Sequence, residues 1–264
     1  MLEIKNLTKV YNDGTVALKD VSFEVREGEF LVIIGLSGSG KSTLLRCINR
    51  LIDPTEGRIL WDGEDITAAE GDQLRQVRRQ IGMIFQHFNL VKRSSVLMNV
   101  LSGRLGYTRP AASLLQRFPA RDREMAWKAL ERVGITDQAR KQARELSGGQ
   151  QQRVGIARAL MQQPRMILAD EPVASLDPVL AHSILGYLEQ LNKEERITVL
   201  CSLHYLDLVQ RYSSRVIGLR AGRIVYRGSR EEIRRMSDEE FKDIYGEEAV
   251  RVSAGLTGAG QEEK

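Results

Sequence analysis

The chain has 264 residues, of which 42% are hydrophobic and 28% are charged, the ordinary balance of a globular protein with a sizeable core. Its 39 basic and 35 acidic side chains leave a net charge of only +4, and the basic residues are spread along the sequence, which gives no support for nucleic-acid binding. The first residues lack the pattern of a signal peptide, and no run approaches the roughly 18 apolar residues of a transmembrane helix, so we expect a cytosolic protein.

The first predicted elements are strands. Alternating apolar and polar residues predict strands over Leu2–Tyr11 and Val21–Val25. The continuous apolar run Phe30–Ile34 predicts a strand that is buried on both faces. The next elements predicted along the chain are a helix and two strands: Thr43–Leu51, Arg58–Trp61 and Ile81–Phe85.

Helical periodicity replaces the strand pattern from residue 94 to about residue 145, with breaks at Arg109-Pro110 and Phe118-Pro119. We interpret this region as a helical part inserted into an α/β core. The remaining predicted elements are two buried strands and a hairpin that turns at Ala221-Gly222: Met166–Ala169, Thr198–Leu203 and Arg215–Tyr226. The glycine-rich, polar residues from about Ser253 predict a flexible tail.

The eight residues that follow the buried strand fit the phosphate-binding pattern G-x-x-x-x-G-K-[ST]. In chain order they are Gly35, Leu36, Ser37, Gly38, Ser39, Gly40, Lys41 and Ser42, and Thr43 comes next. Glycines let backbone N–H groups wrap around phosphate oxygens, and the following helix directs its positive end at the same anion. We expect Lys41 to reach the β- and γ-phosphates of a nucleotide and Ser42 to ligate Mg²⁺.

A second pattern is an apolar strand that ends in two acids, Asp170 and Glu171. We expect Asp170 to hold Mg²⁺, directly or through water, and Glu171 to orient and polarise an attacking water. Acidic residues at strand ends are common, so this pattern points to hydrolysis only because the phosphate-binding loop accompanies it. The cysteines Cys47 and Cys201 have no metal-type spacing, and both are expected to be buried, reduced thiols.

The third pattern is Leu146-Ser147-Gly148-Gly149-Gln150, at the start of another predicted helix. Ser147 is a good N-cap, and the glycine pair leaves N–H groups free, so we predict a second anion site here. A single chain with its own phosphate-binding loop does not need this second site. A twofold dimer in which each subunit completes the site of the other does need it.

Taken together, the three patterns resemble the ATP-binding-cassette (ABC) ATPases, and the resemblance runs from Leu2 to about Tyr245. It implies a P-loop NTPase α/β core with an antiparallel β part and an inserted α-helical subdomain at about 94–160. The ABC ATPase domain would span residues 2–246, with a tail at 247–264. ATP and Mg²⁺ are the implied cofactors.

The resemblance also implies roles for individual side chains. Tyr11 resembles the aromatic residue that stacks on adenine, and His204 resembles the histidine that contacts the γ-phosphate. Gln86 resembles the glutamine that contacts Mg²⁺ and water, so the metal residues would be Ser42, Gln86 and Asp170. The stretch Ser175-Leu176-Asp177 resembles the loop at the seam of the dimer.

Residues 81–91, 101–107 and 169–178 resemble the ATPase of phosphonate importers, although Tyr205 stands where that pattern usually has glutamine. This implies a homodimer at the cytoplasmic face of the inner membrane, two transmembrane permease subunits, and a periplasmic phosphonate-binding protein that acts indirectly. One alternative is an importer of another small solute, such as a polar amino acid. A different class is a soluble ABC ATPase without a transport role, although the long coiled coils or zinc inserts of that class are absent from the sequence.

Overall fold

The computed structural model describes residues 1–108 and 118–246, and the fold is described for those two stretches. The predicted break at Arg109-Pro110 and the predicted tail at 247–264 lie outside them. The strands are β1 Leu2–Val10, β2 Val16–Val25, β3 Phe30–Ile34, β4 Glu56–Trp61, β5 Glu64–Asp65, β6 Ile81–Ile84, β7 Met166–Ala169, β8 Thr198–Ser202, β9 Arg215–Arg220 and β10 Arg223–Ser229. The helices are α1 Lys41–Ile48, α2 Gly71–Gln80, α3 Val96–Leu101, α4 Ala120–Arg132, α5 Gly148–Leu160, α6 Pro178–Glu195, α7 Leu206–Tyr212, α8 Arg230–Arg234 and α9 Asp238–Tyr245.

The strands form two sheets. Strands β2, β1, β4 and β5, in that order, make an antiparallel sheet. The second sheet has the order β10-β9-β3-β8-β7-β6, and its strands from β9 to β6 are parallel. The carboxyl ends of parallel strands lie at one edge of a sheet, which is where α/β proteins place their ligands.

Strand β3 is buried on both faces, as the apolar run predicts. Leu31 and Ile33 pack into a core shared with the antiparallel sheet and α1. Phe30, Val32 and Ile34 pack into a second core, built with the helices that cover the other face of the sheet. Both cysteines are buried free thiols, one in each core.

The helical part between β6 and β7 consists, in the described residues, of α3, α4, α5 and short 3-10 helices over 102–107, 136–138 and 143–145. Helices α3, α4 and α5 contribute buried residues to the second core, so the helical part packs on the parallel sheet. The predicted mixture of an α/β core, an antiparallel sheet and inserted helices is therefore confirmed. In the described residues, no helix combines the length and the apolar character needed to cross a membrane.

Several predicted boundaries are wrong by a few residues. The helix predicted over Thr43–Leu51 covers Lys41–Ile48. It ends early because Arg50 adopts a left-handed conformation with φ of 52°, and the Leu51 N–H donates back to the Arg46 carbonyl at 2.8 Å. The hairpin turn at Ala221-Gly222 is confirmed, with positive φ at both residues.

The parallel sheet generates a prediction about stability. Leu200 of β8 is fully buried and lies beside Leu31 and Leu168 on the neighbouring strands. Leu200→Ala removes contacts and leaves a cavity, so we expect it to lower the free energy of unfolding by about 2–5 kcal/mol. Urea denaturation measures the change. Leu105→Ala is the matched control because Leu105 is 45% exposed, and an equal loss in that variant would contradict the assignment of Leu200 to the core.

Candidate functional site

The loop from residue 35 to residue 40 joins β3 to α1 at the carboxyl edge of the parallel sheet. Two of its glycines lie against neighbouring backbone. A Cβ atom on Gly35 would come within 2.2 Å of the Leu219 carbonyl oxygen, and one on Gly40 would come within 2.4 Å of the Ala17 carbonyl oxygen. Both residues also have positive φ, 145° and 107°. Only glycine fits these positions, and the loop can therefore curl tightly in front of the helix.

The loop has the features of an anion cradle. It ends at the N-terminus of α1, whose first N–H groups have no partner within the helix. The Ser39 hydroxyl is buried and has no hydrogen-bond partner among the described residues. A buried, unpaired hydroxyl of this kind fits a phosphate group that would accept its hydrogen bond.

Lys41 is almost fully buried at this loop. Its ammonium group donates to the carbonyl oxygens of Gly35 and Leu36, both at 2.9 Å, and lies 3.6 Å from a carboxylate oxygen of Glu171. Burial lowers the pKa of Lys41, while the Glu171 and Asp170 carboxylates act in the opposite direction. The chain thus holds one buried cation where a phosphate would bind.

Asp170 follows β7 and is fully buried. It accepts a hydrogen bond from the Ser42 hydroxyl at 2.7 Å, and Arg46, one turn further along α1, lies 3.4 Å from its other oxygen. A hydroxyl and a carboxylate are both oxygen ligands of the kind that Mg²⁺ prefers. The predicted metal residues Ser42 and Asp170 are therefore adjacent.

Glu171 gathers the remaining polar groups of the site. Gln86, two residues after β6, donates to one of its carboxylate oxygens at 2.9 Å. His204, two residues after β8, is hydrogen bonded to the other oxygen at 2.5 Å. The hydrogen bond with His204 and the charge of Lys41 hold the pKa of Glu171 below its usual value, against the effect of burial. The carboxylate is therefore ionised at neutral pH and can accept a hydrogen bond from a water molecule.

Tyr11 lies at the end of β1, on the side of the phosphate-binding loop. Its hydroxyl is 3.2 Å from the hydroxyl of Thr43 in α1, and its side chain is exposed. An exposed aromatic ring at this point offers a surface on which a nucleotide base can stack.

Ser147 to Gln150 begin α5, as predicted. Ser147 caps the helix by accepting from the Gln150 N–H, and the Gln150 side chain accepts from the Ser147 N–H in return. A Cβ atom on Gly148 would lie 3.7 Å from the Leu176 side chain, and one on Gly149 would lie 2.8 Å from the Leu180 side chain. This helix end therefore lies beside the stretch Ser175-Leu176-Asp177, which leads into α6.

The comparisons with known proteins agree with this geometry. A family model described as "ABC transporter" matches residues 18–174, which include the phosphate-binding loop, the start of α5 and the two acids after β7. This chain belongs to the ABC transporter family. The protein is therefore an ATP-binding enzyme, and the resemblance to ABC ATPases inferred from its sequence is confirmed.

Curated relatives of this ABC protein are similar over nearly their full length. It is 53% identical over 246 residues to phosphonates import ATP-binding protein PhnC 3 of Halalkalibacterium halodurans, covering 93% of this chain and 94% of the relative. It is 54% identical to phosphonates import ATP-binding protein PhnC of Staphylococcus haemolyticus, covering 93% of this chain and 94% of the relative.

Solved ABC cassettes share the fold. The dimeric structure of the bacterial ABC transporter cassette MJ0796 superposes with a TM-score of 0.78 at 37% identity, covering 87% of this chain and 98% of that one. A dimeric post-hydrolysis state of the same cassette, bound to ADP and phosphate, gives a TM-score of 0.76 at 36% identity with the same coverage.

Two residues of this ABC site are absent from the sequence-based prediction. Arg46 lies four residues after Ser42, on the same face of α1, so helical spacing alone could have indicated its contact with Asp170. Ser202 is the last residue of β8, and its hydroxyl accepts from the Glu171 backbone N–H at 2.9 Å. Serine at a strand end has no distinctive spacing, so nothing in the sequence marks it.

The burial of Lys41 generates a prediction about nucleotide affinity. Lys41→Ala removes a charge-assisted contact worth about 1.5–3 kcal/mol, so we expect ATP to bind roughly ten to one hundred times more weakly. Equilibrium binding of a fluorescent ATP analogue measures the change. Lys19→Ala is the control because Lys19 is an exposed lysine of β2. Unchanged affinity in the Lys41 variant would remove Lys41 from the phosphate site.

Proposed function

We propose that this protein is the ATP-hydrolysing subunit of an importer that takes phosphonates across the inner membrane. The observation that carries the chemistry is the convergence of Gln86, His204 and Lys41 on the Glu171 carboxylate, beside a glycine-rich anion cradle. The substrate is supported by relatives at 53–54% identity that are phosphonates import ATP-binding proteins.

In the proposed reaction, a water oxygen bonds to the γ-phosphorus of ATP while the bond to the β–γ bridging oxygen breaks, giving ADP and phosphate. Glu171 accepts a hydrogen bond from the water and orients it, and His204 contacts the γ-phosphate. Lys41 and the N–H groups of residues 35–43 hold the β- and γ-phosphates, and the ring of Tyr11 stacks on the adenine. Mg²⁺ held by Ser42, Gln86 and Asp170, directly or through water, supplies positive charge that offsets the charge of the phosphates.

The second anion site supports a head-to-tail homodimer. Residues 147–150 lie beside Leu176 and Leu180 of their own chain, and the N–H groups of Gly148 and Gly149, which take no part in the capping box, suit a γ-phosphate held by another subunit. Two ATP molecules would then each lie between the phosphate-binding loop of one subunit and the start of α5 of its partner. ATP forms part of such an interface, so association is linked to ATP.

The remaining parts of the proposal concern the membrane. The domain spans 2–246, with the helical subdomain at about 94–160 and a tail at 247–264. The segment Gln86–Arg93 of each ATPase subunit, between the core and the helical subdomain, receives a cytoplasmic helix of one of the two permease subunits. A periplasmic phosphonate-binding protein acts through the permease. The ATPase itself is peripheral to the membrane, on its cytoplasmic face.

The role of Glu171 generates a prediction about turnover. Glu171→Gln keeps the shape of the side chain and cannot polarise water, so we expect ATP binding to persist while hydrolysis falls by a factor of 10² or more. Single-turnover hydrolysis measures the rate. With ATP present, sedimentation should detect more dimer in this variant than in the wild type, because the bound ATP is not consumed.

The control for this prediction is Glu64→Gln, at an exposed glutamate of β5. It should hydrolyse ATP at the wild-type rate. Near-normal hydrolysis in Glu171→Gln would remove this residue from its role, and a strictly monomeric Glu171→Gln protein at high ATP would argue against the head-to-tail dimer.

The substrate generates a separate prediction. Cells that lack this protein and any second importer should fail to grow on an alkylphosphonate as the sole phosphorus source and should grow normally on phosphate. In reconstituted complexes, phosphonate-loaded binding protein should raise ATP hydrolysis, and a binding protein loaded with an amino acid should not. Normal growth on the phosphonate would leave the ATPase assignment intact and defeat the phosphonate assignment.

A further inference from the structure

Arg158 of α5 makes a two-pronged contact with the loop that follows Gln86. One N–H of its guanidinium group donates to the Phe88 carbonyl at 2.9 Å, and the other donates to the Asn89 carbonyl at 2.5 Å. The helix that begins at the second anion site is therefore bonded to the loop that carries Gln86. The planar fork of arginine matches two such acceptors, and the single ammonium group of lysine does not.

The loop has an unusual backbone at this contact. Phe88 and Asn89 are consecutive non-glycine residues with positive φ, 58° and 47°. A left-handed conformation is costly for a bulky residue such as phenylalanine and persists only where the surroundings hold it. The contact with Arg158 holds the two carbonyl groups in this arrangement.

The electrostatics of Arg158 also favour this role. Among the described residues, no carboxylate forms an ion pair with its guanidinium group, and burial lowers the pKa of this arginine. Its charge is met by the two loop carbonyls and, more weakly, by the ring of Phe85 at 5.9 Å. A partly buried cation whose hydrogen bonds go to these carbonyl groups favours keeping them in place.

A second contact lies towards the other end of the helix. The ring of Phe88 lies beside Gly148 at the N-terminus of α5, where it would be 3.8 Å from a Cβ atom added to that glycine. Phe88 therefore contacts α5 through its ring at the start of the helix and through its carbonyl at Arg158. The loop and the helix are therefore joined at two points, one near each end of α5.

We propose that Arg158 is a positioning residue that fixes the loop 86–90 to α5, so that Gln86 and residues 147–150 move as one body. Gln86 lies two residues before the contact and donates to Glu171. The position of this amide beside the catalytic carboxylate is then set by the same helix that presents the second anion site to a partner subunit. This inference rests on the proposed ATPase function.

The test uses two variants of Arg158 and a matched control on the same helix. Arg158→Met keeps the apolar stem and removes the donors, and Arg158→Lys keeps the charge and loses the fork. Arg153→Met is the control, because Arg153 donates to the Val133 carbonyl and to Ser183 rather than to the loop. ATP turnover and amide hydrogen exchange are measured on the full chain, together with thermal unfolding.

We expect Arg158→Met to lower kcat about tenfold with KM changed less than twofold, and to speed amide exchange at residues 87–91 at least tenfold. Arg158→Lys should give smaller changes of the same kind. Arg153→Met should leave exchange at 87–91 and kcat within twofold of wild type. If Arg158→Met does not fold, Arg158→Lys with the same readouts decides the question.

Wild-type turnover and loop exchange in a folded Arg158 variant would overturn the proposal. Equal acceleration of loop exchange in Arg153→Met would overturn it as well, because the effect would then reflect general loosening of α5. Absence of ATP hydrolysis in the wild type itself would contradict the proposed function instead, so the two failures are distinguishable.

Discussion

The carboxylate of Glu171 is the group on which the arrangement of this site depends. Parallel strands bring their carboxyl ends to one edge of the sheet, so residues that follow β6, β7 and β8 meet there although they are distant in sequence. Gln86 and His204 each form a hydrogen bond with one oxygen of this carboxylate, and the Lys41 ammonium group lies beside it. A shift of any one of these strands would separate the groups.

The charges of the site are balanced before any nucleotide is bound. Lys41 is buried, and burying a lone ammonium group is costly unless a partner offsets the loss of water. Two backbone carbonyls and Glu171 provide that offset. The buried carboxylate of Asp170 is stabilised in the same way, by the hydrogen bond from the Ser42 hydroxyl and by the positive charge of Arg46. When phosphate groups enter this site, Lys41 would exchange its carbonyl and Glu171 partners for phosphate oxygens, so the buried lysine need never be left unpaired.

The sequence predicts the parts of the site that depend on local pattern. The phosphate-binding loop, the two acids after β7 and the capped start of α5 each occupy a short, recognisable stretch, and the structure places them as predicted. Contacts across the fold were not predictable in this way. Arg158 reaches the carbonyl groups of Phe88 and Asn89 about 70 residues away, and backbone acceptors leave no trace in a sequence. Helix ends were also missed where a left-handed residue such as Arg50, with no glycine to mark it, stops the helix.

The order of strands in the parallel sheet has a consequence for synthesis of the protein. Strand β3, which leads into the phosphate-binding loop, is paired with β8 on one side and β9 on the other, and both come from the last third of the chain. Gly35 also lies against Leu219 of β9. The loop therefore cannot take its final shape until about residue 220 has left the ribosome. A nascent or truncated chain that ends before β8 carries the complete phosphate-binding motif and still lacks both neighbours of the strand that supports it, so it should be unable to bind ATP.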